Sequence, residues 1–162
     1  MGIDAELFRN TLTKWASGVT VVTTTHEGQH HGLTVSSFSS VSLDSSLILV
    51  CISHRTAALP MLLAAGHFAV NILSSAQREI ARRFAGQIPD IVDRFDGIAY
   101  STLVTGSPLL DGALAWIDCH TARTIEAGDH TIFIGEIAAA TVFDDAPLVY
   151  TNRQWGTFAP LA

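Results

Sequence analysis

Two runs of thirteen residues, Ala113 to Ile125 and Thr131 to Phe143, flank the segment Glu126-Ala127-Gly128-Asp129-His130. Both runs are rich in apolar and β-branched residues, and the segment between them carries turn chemistry. Together they read as one long antiparallel hairpin. The rest of the chain supplies strands for it to join. Val19 to Thr24 is a β-branched run, His26-Glu27-Gly28-Gln29 turns it, and His31 to Thr34 returns antiparallel. Leu47 to Ile52 is continuously apolar and of strand length, which predicts burial on both faces. Phe68 to Leu73 is a further strand, and Leu148-Val149-Tyr150 reads as the last one.

Helices punctuate this β series. Asp4 is placed to cap a first helix, with Phe8, Leu12 and Trp15 on one face and Gly18 at its end. A short helix runs from Pro60 to Ala65 and closes at Gly66. Ser74 and Gln77 have capping-box spacing and open a helix on which Ile80 and Phe84 share a face. Gly86 to Gly97 lacks periodicity and reads as a surface loop. With no regular βαβ alternation and no repeat, the pattern predicts a mainly β domain over residues 1–162, an antiparallel barrel with peripheral helices.

Composition narrows the class. A net charge of −6 argues against nucleic acid or an anionic membrane as the main partner. Only 15% of residues are charged while 48% are apolar, so some apolar surface is expected to be covered by a partner subunit. There is no signal-peptide pattern and no apolar run near the ~20 residues of a membrane span. Cys51 and Cys119 sit in separate apolar runs, which predicts two reduced, buried thiols and a cytoplasmic protein.

Familiar catalytic signatures are absent. The chain has no GxSxG elbow, no GxGxxG fingerprint, no HExxH and no CxxC, and the adjacent His30 and His31 point to opposite faces of a strand, so no metal site is expected. What stands out is Gly32 to Ser40, with hydroxyls at Thr34, Ser36, Ser37, Ser39 and Ser40 between two β segments. Alternation places Thr34, Ser36 and, if the strand continues, Phe38 on one face, where a planar heterocycle could lie against the strand. A hydroxyl-rich strand satisfied by its neighbours accounts for the same residues. Ser53-His54-Arg55-Thr56 precedes a helix and offers groups a phosphate would take, or is a solvated turn. Phe84-Ala85-Gly86 ends its helix as a ligand edge or a core anchor. His130 opens a strand at the hairpin tip, and Tyr150 and Arg153 follow the last strand.

In order and spacing, Phe8 to Thr24 (FRNTLTKWASGVTVVTT), Gly32 to Leu43 (GLTVSSFSSVSL), Phe68 to Leu73 (FAVNIL), Phe84-Ala85-Gly86 and Gly128 to Ile137 (GDHTIFIGEI) resemble the flavin reductase family. Its fold is the FMN-binding split barrel, and its members are NAD(P)H:flavin oxidoreductase components of two-component monooxygenases. The resemblance implies that Thr34, Val35, Ser36, Ser37 and Phe38 line the isoalloxazine and ribityl chain. It implies that Cys51, Ser53, Arg55, Thr56 and Ala57 take the phosphate end, with Phe84 and Ala85 a second flavin contact. His130 would meet the nicotinamide, with Tyr150 and Arg153 beside it. The cofactors implied are FMN or FAD with NADH or NADPH, and the partners a second copy of the chain and an oxygenase. Arg55 stands alone where relatives often carry a second basic residue, and the scarcity of cations beyond Arg153 favours NADH. A flavin-binding module without turnover, and a pyridoxamine-phosphate-oxidase-like enzyme, are the alternative readings.

Overall fold

The computed structural model describes residues 2–161. In chain order the elements are α1 (Ala5–Leu12), β1 (Ser17–Gly18), β2 (Thr20–His26), β3 (Gln29–Val35), β4 (Phe38–Ser42), β5 (Leu47–Ser53), α2 (Ala58–Ala65) and β6 (His67–Ile72). A 3-10 turn (Ser75–Gln77) leads into α3 (Arg78–Phe84), followed by β7 (Tyr100–Ser101), β8 (Leu109–Leu110), β9 (Ala115–Ala127), β10 (His130–Val142), β11 (Val149–Thr151) and β12 (Gln154–Gly156).

One antiparallel sheet of seven strands dominates, in the order β3-β2-β6-β9-β10-β5-β4. The expected hairpin is its centre: β9 and β10 pair along nearly their whole length, turned by Gly128 and Asp129. Gly128 has φ +64°, a left-handed conformation that a side chain at that position would strain. No ladder among the described residues joins β3 to β4, so both remain sheet edges and the expected closed barrel is not formed by strand pairing. A second sheet, β1-β11-β12, and the β7-β8 pair complete the β structure. No helix of the described residues is long and apolar enough to cross a membrane.

Two cores lie on opposite faces of the sheet. Val22, Ile48, Val50, Ile52, Leu62, Phe68 and Phe133 form one; Val19, Val21, Leu73, Ala81, Phe84, Phe95 and Leu110 form the other. Successive residues Val21 and Val22 point to different cores, as the two-residue period of a strand requires. β2 and β6 are therefore the strands buried on both faces. β5 alternates instead, with Ile48, Val50 and Ile52 buried and Leu49, Cys51 and Ser53 half-buried, which corrects the expectation of two buried faces for Leu47 to Ile52.

Other differences are local. Asp4 caps α1 as expected, accepting from the Glu6 and Leu7 N–H groups at 3.0 and 2.9 Å. The helix stops at Leu12, however, and Gly18 belongs to β1. Its apolar stripe of Phe8, Leu12 and Trp15 is exposed, Trp15 by 75%. Gln77 accepts from the Ser74 N–H at 3.2 Å, completing the side-chain half of the expected capping box. The 86–97 loop is pinned rather than loose. The Arg83 side chain donates to the carbonyls of Asp93, Arg94 and Asp96, and Phe95 is buried. β12 follows β11, so Leu148 to Tyr150 is not the last strand. Cys119 is buried, its thiol pushed up to about 12 by desolvation with Asp118 adding to it; Cys51 is only half-buried, and both thiols are free.

Burial lowers the pKa of His67 against the pull of Asp118, and it lowers that of His31 with help from His30 and His26. Both rings therefore resist protonation in the folded chain. As pH falls through the ordinary value of 6.5 the unfolded chain takes up protons first, so stability is complete above that value and declines below it. The thermal midpoint should fall from about pH 7.5 to about pH 5.5, where histidine is the side chain that titrates. The fall should be smaller in a His31→Gln/His67→Gln variant. An identical slope in that variant would contradict the assignment.

Candidate functional site

A cleft of about 700 Å³ opens where α1 and the β11–β12 turn meet β4 and β5. Its location follows from how the small sheet is tethered. Ser17 pairs with Tyr150, Asn152 N–H donates to the Thr13 carbonyl at 2.6 Å, and Lys14 Nζ donates to Asn152 Oδ1 at 3.3 Å. Arg153 Nη2 reaches Asn10 Oδ1 at 3.4 Å. These bonds hold the last turn of α1 and the 150–153 segment together as one wall. The opposite wall is Ser36, Ser37, Phe38 and Ser39 with Leu49 and Cys51.

Ser36 and Ser37 carry the chain from β3 to β4 outside any strand pairing. The Ser37 hydroxyl donates to the Cys51 carbonyl at 3.0 Å and accepts from the Cys51 N–H at 3.1 Å, replacing a ladder bond with a side chain. The hydroxyl-rich segment is thus not a strand satisfied wholly by its neighbours. Ser36, Ser37, Ser39 and Ser40 are exposed, and their polarity belongs to the cleft rather than to a buried strand. Strand alternation also stops at Val35. Val35 is buried, Thr34 donates to the Ala81 carbonyl at 2.7 Å, and Phe38 pairs with Val50 and packs on the first core. Thr34, Ser36 and Phe38 therefore do not share one face.

Strand register extends the cleft wall toward the hairpin tip. Leu49 lies opposite Ile134, Cys51 opposite Ile132 and Ser53 opposite His130, and all six are half-buried on the face away from the first core. His130 thus stands on the same sheet face as Cys51, one alternate position along. Its Nδ1 sits 2.7 Å from Asp129 Oδ1. The hydrogen bond and charge of His130 hold the Asp129 carboxyl below the usual carboxylate range.

A family described as the flavin reductase like domain matches residues 12–159. The chain belongs to the flavin reductase family. It is 36% identical over 98% of its length to the FMN reductase (NADH) SmoA of Agrobacterium fabrum, of which it covers 88%. It is 35% identical over 83% of its length to the reductase subunit HsaB of a flavin-dependent monooxygenase of Mycobacterium tuberculosis, covering 71% of that protein. Among solved structures it superposes on the NADH:FAD oxidoreductase SgcE6 of Streptomyces globisporus with a TM-score of 0.88 at 34% identity, covering 99% of this chain and 98% of that one.

Of the residues singled out in the sequence, this flavin reductase gathers Ser36, Ser37, Phe38, Cys51, Tyr150 and Arg153 in the cleft, and sets Ser53 and His130 on its adjoining sheet face. Arg55 is exposed on the turn before α2, where its N–H donates to Ser53 Oγ at 3.3 Å. Thr56 and Ala57 line a different cavity, on the far side of α2's first turn. Phe84 is buried in the second core, edge-on to Phe95 at 5.0 Å between ring centroids, so its side chain is an anchor; Ala85 beside it is exposed. The cleft residues that the sequence reading missed are Arg9, Leu12, Trp15, Leu49 and Asn152. The stripe of Leu12 and Trp15 was visible; its exposure was not.

The chemistry of this wall suits a flavin. Leu12, Trp15, Phe38 and Leu49 offer apolar surface to a ring system, and the hydroxyls of Ser36 and Ser39 with the Arg9 and Arg153 guanidiniums offer polar partners at its rim. No cluster of three or more metal-ligating side chains occurs among the described residues.

Proposed function

We propose that the chain catalyses reduction of free or loosely bound flavin by NADH and passes the reduced flavin to a partner monooxygenase. The observation that carries this reading is the single sheet face shared by the hydroxyl- and Trp-lined cleft and by His130. The isoalloxazine ring would lie in the cleft against Ser36, Ser37, Cys51 and Phe38, with Thr34 and Val35 behind it. The flavin's ribityl phosphate would extend from there toward Ser53, Arg55, Thr56 and Ala57, with the exposed Ala85, rather than the buried Phe84, as the second contact. The flavin supplies the hydride acceptor and the reduced nicotinamide the donor. What the protein contributes is ring alignment and exclusion of water.

His130 would align the nicotinamide. Its Nδ1 is engaged with the Asp129 carboxylate, which leaves Nε2 free to meet the nicotinamide carboxamide. Tyr150 and Arg153 border the same opening, and the few cations there favour NADH over its 2′-phosphorylated form.

The remaining parts of the reading concern assembly. The seven-stranded antiparallel sheet would be that family's split barrel, read as one domain over residues 1–162. The half-buried row Leu49, Ile132 and Ile134 and the exposed Trp15 favour a homodimer that covers this face. Two free thiols favour the cytoplasm.

His130→Ala should raise KM for NADH about tenfold, the loss of roughly one hydrogen bond, with flavin Kd changed less than about twofold. Steady-state kinetics and flavin titration of the same variant check this. Equal losses in both constants would contradict the role.

A further inference from the structure

Two hairpins of this chain close with two-residue turns in which both central residues have positive φ, the mark of a type I′ turn. Between β2 and β3 these are Glu27 and Gly28, at φ +49° and +76°. Between β11 and β12 they are Asn152 and Arg153, at φ +49° and +61°. Asparagine tolerates this region, and glycine is the usual residue at the second position, as it is in the first hairpin. Arg153 therefore sits in a conformation that its own Cβ disfavours.

The groups that hold the turn come from α1 and the residues just after it. The Asn152 N–H donates to the Thr13 carbonyl at 2.6 Å, Lys14 Nζ donates to Asn152 Oδ1 at 3.3 Å, and Arg153 Nη2 donates to Asn10 Oδ1 at 3.4 Å. Glycine at 153 would form the same turn without strain and keep the first two of these bonds. What it would remove is a cation, and Arg153 lines the cleft. Arg9 lines it from α1, and no carboxylate stands among the described residues that do so, although the chain as a whole carries a net charge of −6. The local sign of charge is thus opposite to that of the molecule, which suits an anionic ligand.

We propose that Arg153 is retained in the left-handed region to hold a cation at the border of the cleft for the phosphate groups of the reduced nicotinamide nucleotide, and that Lys14, acting through Asn152, is its positioning residue. The inference rests on the reading that the cleft and His130 together receive flavin and NADH. On that reading the flavin's own phosphate runs along the opposite wall toward Ser53, so the anion left to meet Arg153 belongs to the second substrate. Lys14 does not line the cleft, and its influence passes through the turn.

Thermal midpoint, flavin Kd and steady-state kinetics of the same variants test the proposal. Arg153→Gly should raise the midpoint by at least about 2 °C, through relief of the backbone strain. The same change should raise KM for NADH at least about tenfold and leave flavin Kd within about twofold. Lys14→Met should raise KM for NADH about threefold with kcat within about twofold, Lys14→Arg should restore it, and Lys14→Met should add nothing once residue 153 is glycine. A stabilised Arg153→Gly chain with unchanged KM would overturn the proposal and leave the turn purely structural, as would a lowered midpoint. A wild-type chain that oxidises no NADH with either flavin would overturn the underlying reading and the proposal with it, a different result from wild-type turnover that ignores Arg153.

Discussion

Asp118→Ala should lower the thermal midpoint by about 10 °C. The carboxylate is fully buried and holds the crossing between β7 and β8: Oδ2 accepts from the Thr105 N–H at 2.8 Å and Oδ1 accepts from the Thr105 hydroxyl. Thr105 Oγ1 lies 2.9 Å from Ser107 Oγ, which lies 2.9 Å from His67 Nδ1, so one carboxylate anchors a chain of three further groups. The next residue is held as well, because Thr23 Oγ1 donates to the Pro108 carbonyl at 2.5 Å and the buried Asn71 accepts from the Leu110 N–H at 2.7 Å. Each hydrogen bond to a charged group contributes about 1.5–3 kcal/mol, and its loss leaves a donor without a partner. Two such losses amount to about 3–4 kcal/mol, at about 2–4 °C per kcal/mol for a chain of this size. Asp118→Asn, which keeps one acceptor, should fall between. A shift under about 3 °C for the alanine variant would contradict this account of the crossing.

Gly135→Ala is the second change with a large expected effect, and its sign is the informative part. In an ordinary strand an added methyl stabilises by roughly 0.5–1 kcal/mol. Here a Cβ would stand 2.6 Å from Phe68 Cζ and 3.0 Å from Cys119 Cβ. Both neighbours are fully buried, and Phe68 is held edge-on by Phe133 at 6.2 Å between centroids. The ring has nowhere to move, so overpacking outweighs the strand gain by about 2 kcal/mol. A fall of about 4–8 °C follows, and Phe68→Leu introduced together with Gly135→Ala should recover part of it relative to the single changes. An unchanged or raised midpoint for Gly135→Ala would show that the core yields more easily than its geometry allows.

The parts of this molecule legible in its sequence are those set by local chemistry. The β9–β10 hairpin carries its turn residues and its period in one continuous stretch, and Asp4 and Gln77 cap within three residues of themselves. β4 escaped notice because Phe38-Ser39-Ser40-Val41-Ser42 is a small, polar edge strand whose pairing with β5 fixes it more than its own propensity does. The exposure of Trp15 was not legible for a related reason: amphipathic spacing states that one face is apolar and not what covers it. The cleft was half legible. Its hydroxyls stand out in the composition and Cys51 follows from the family resemblance, whereas Arg9 and Asn152 enter only because the 150–153 turn hydrogen-bonds to α1 across more than a hundred residues. The cavity at Thr56 and Ala57 left no local trace, since its lining comes from three separate segments, one of which reaches Gly32 through Arg94 from 62 residues away.

The most direct measurement is NADH oxidation by the purified chain, followed by absorbance with no flavin, with FMN and with FAD added separately. Turnover that requires added flavin is the predicted result. Tight flavin binding without NADH oxidation would contradict it, leaving the chain a flavin-holding module and His130 a hairpin residue with no part in hydride transfer.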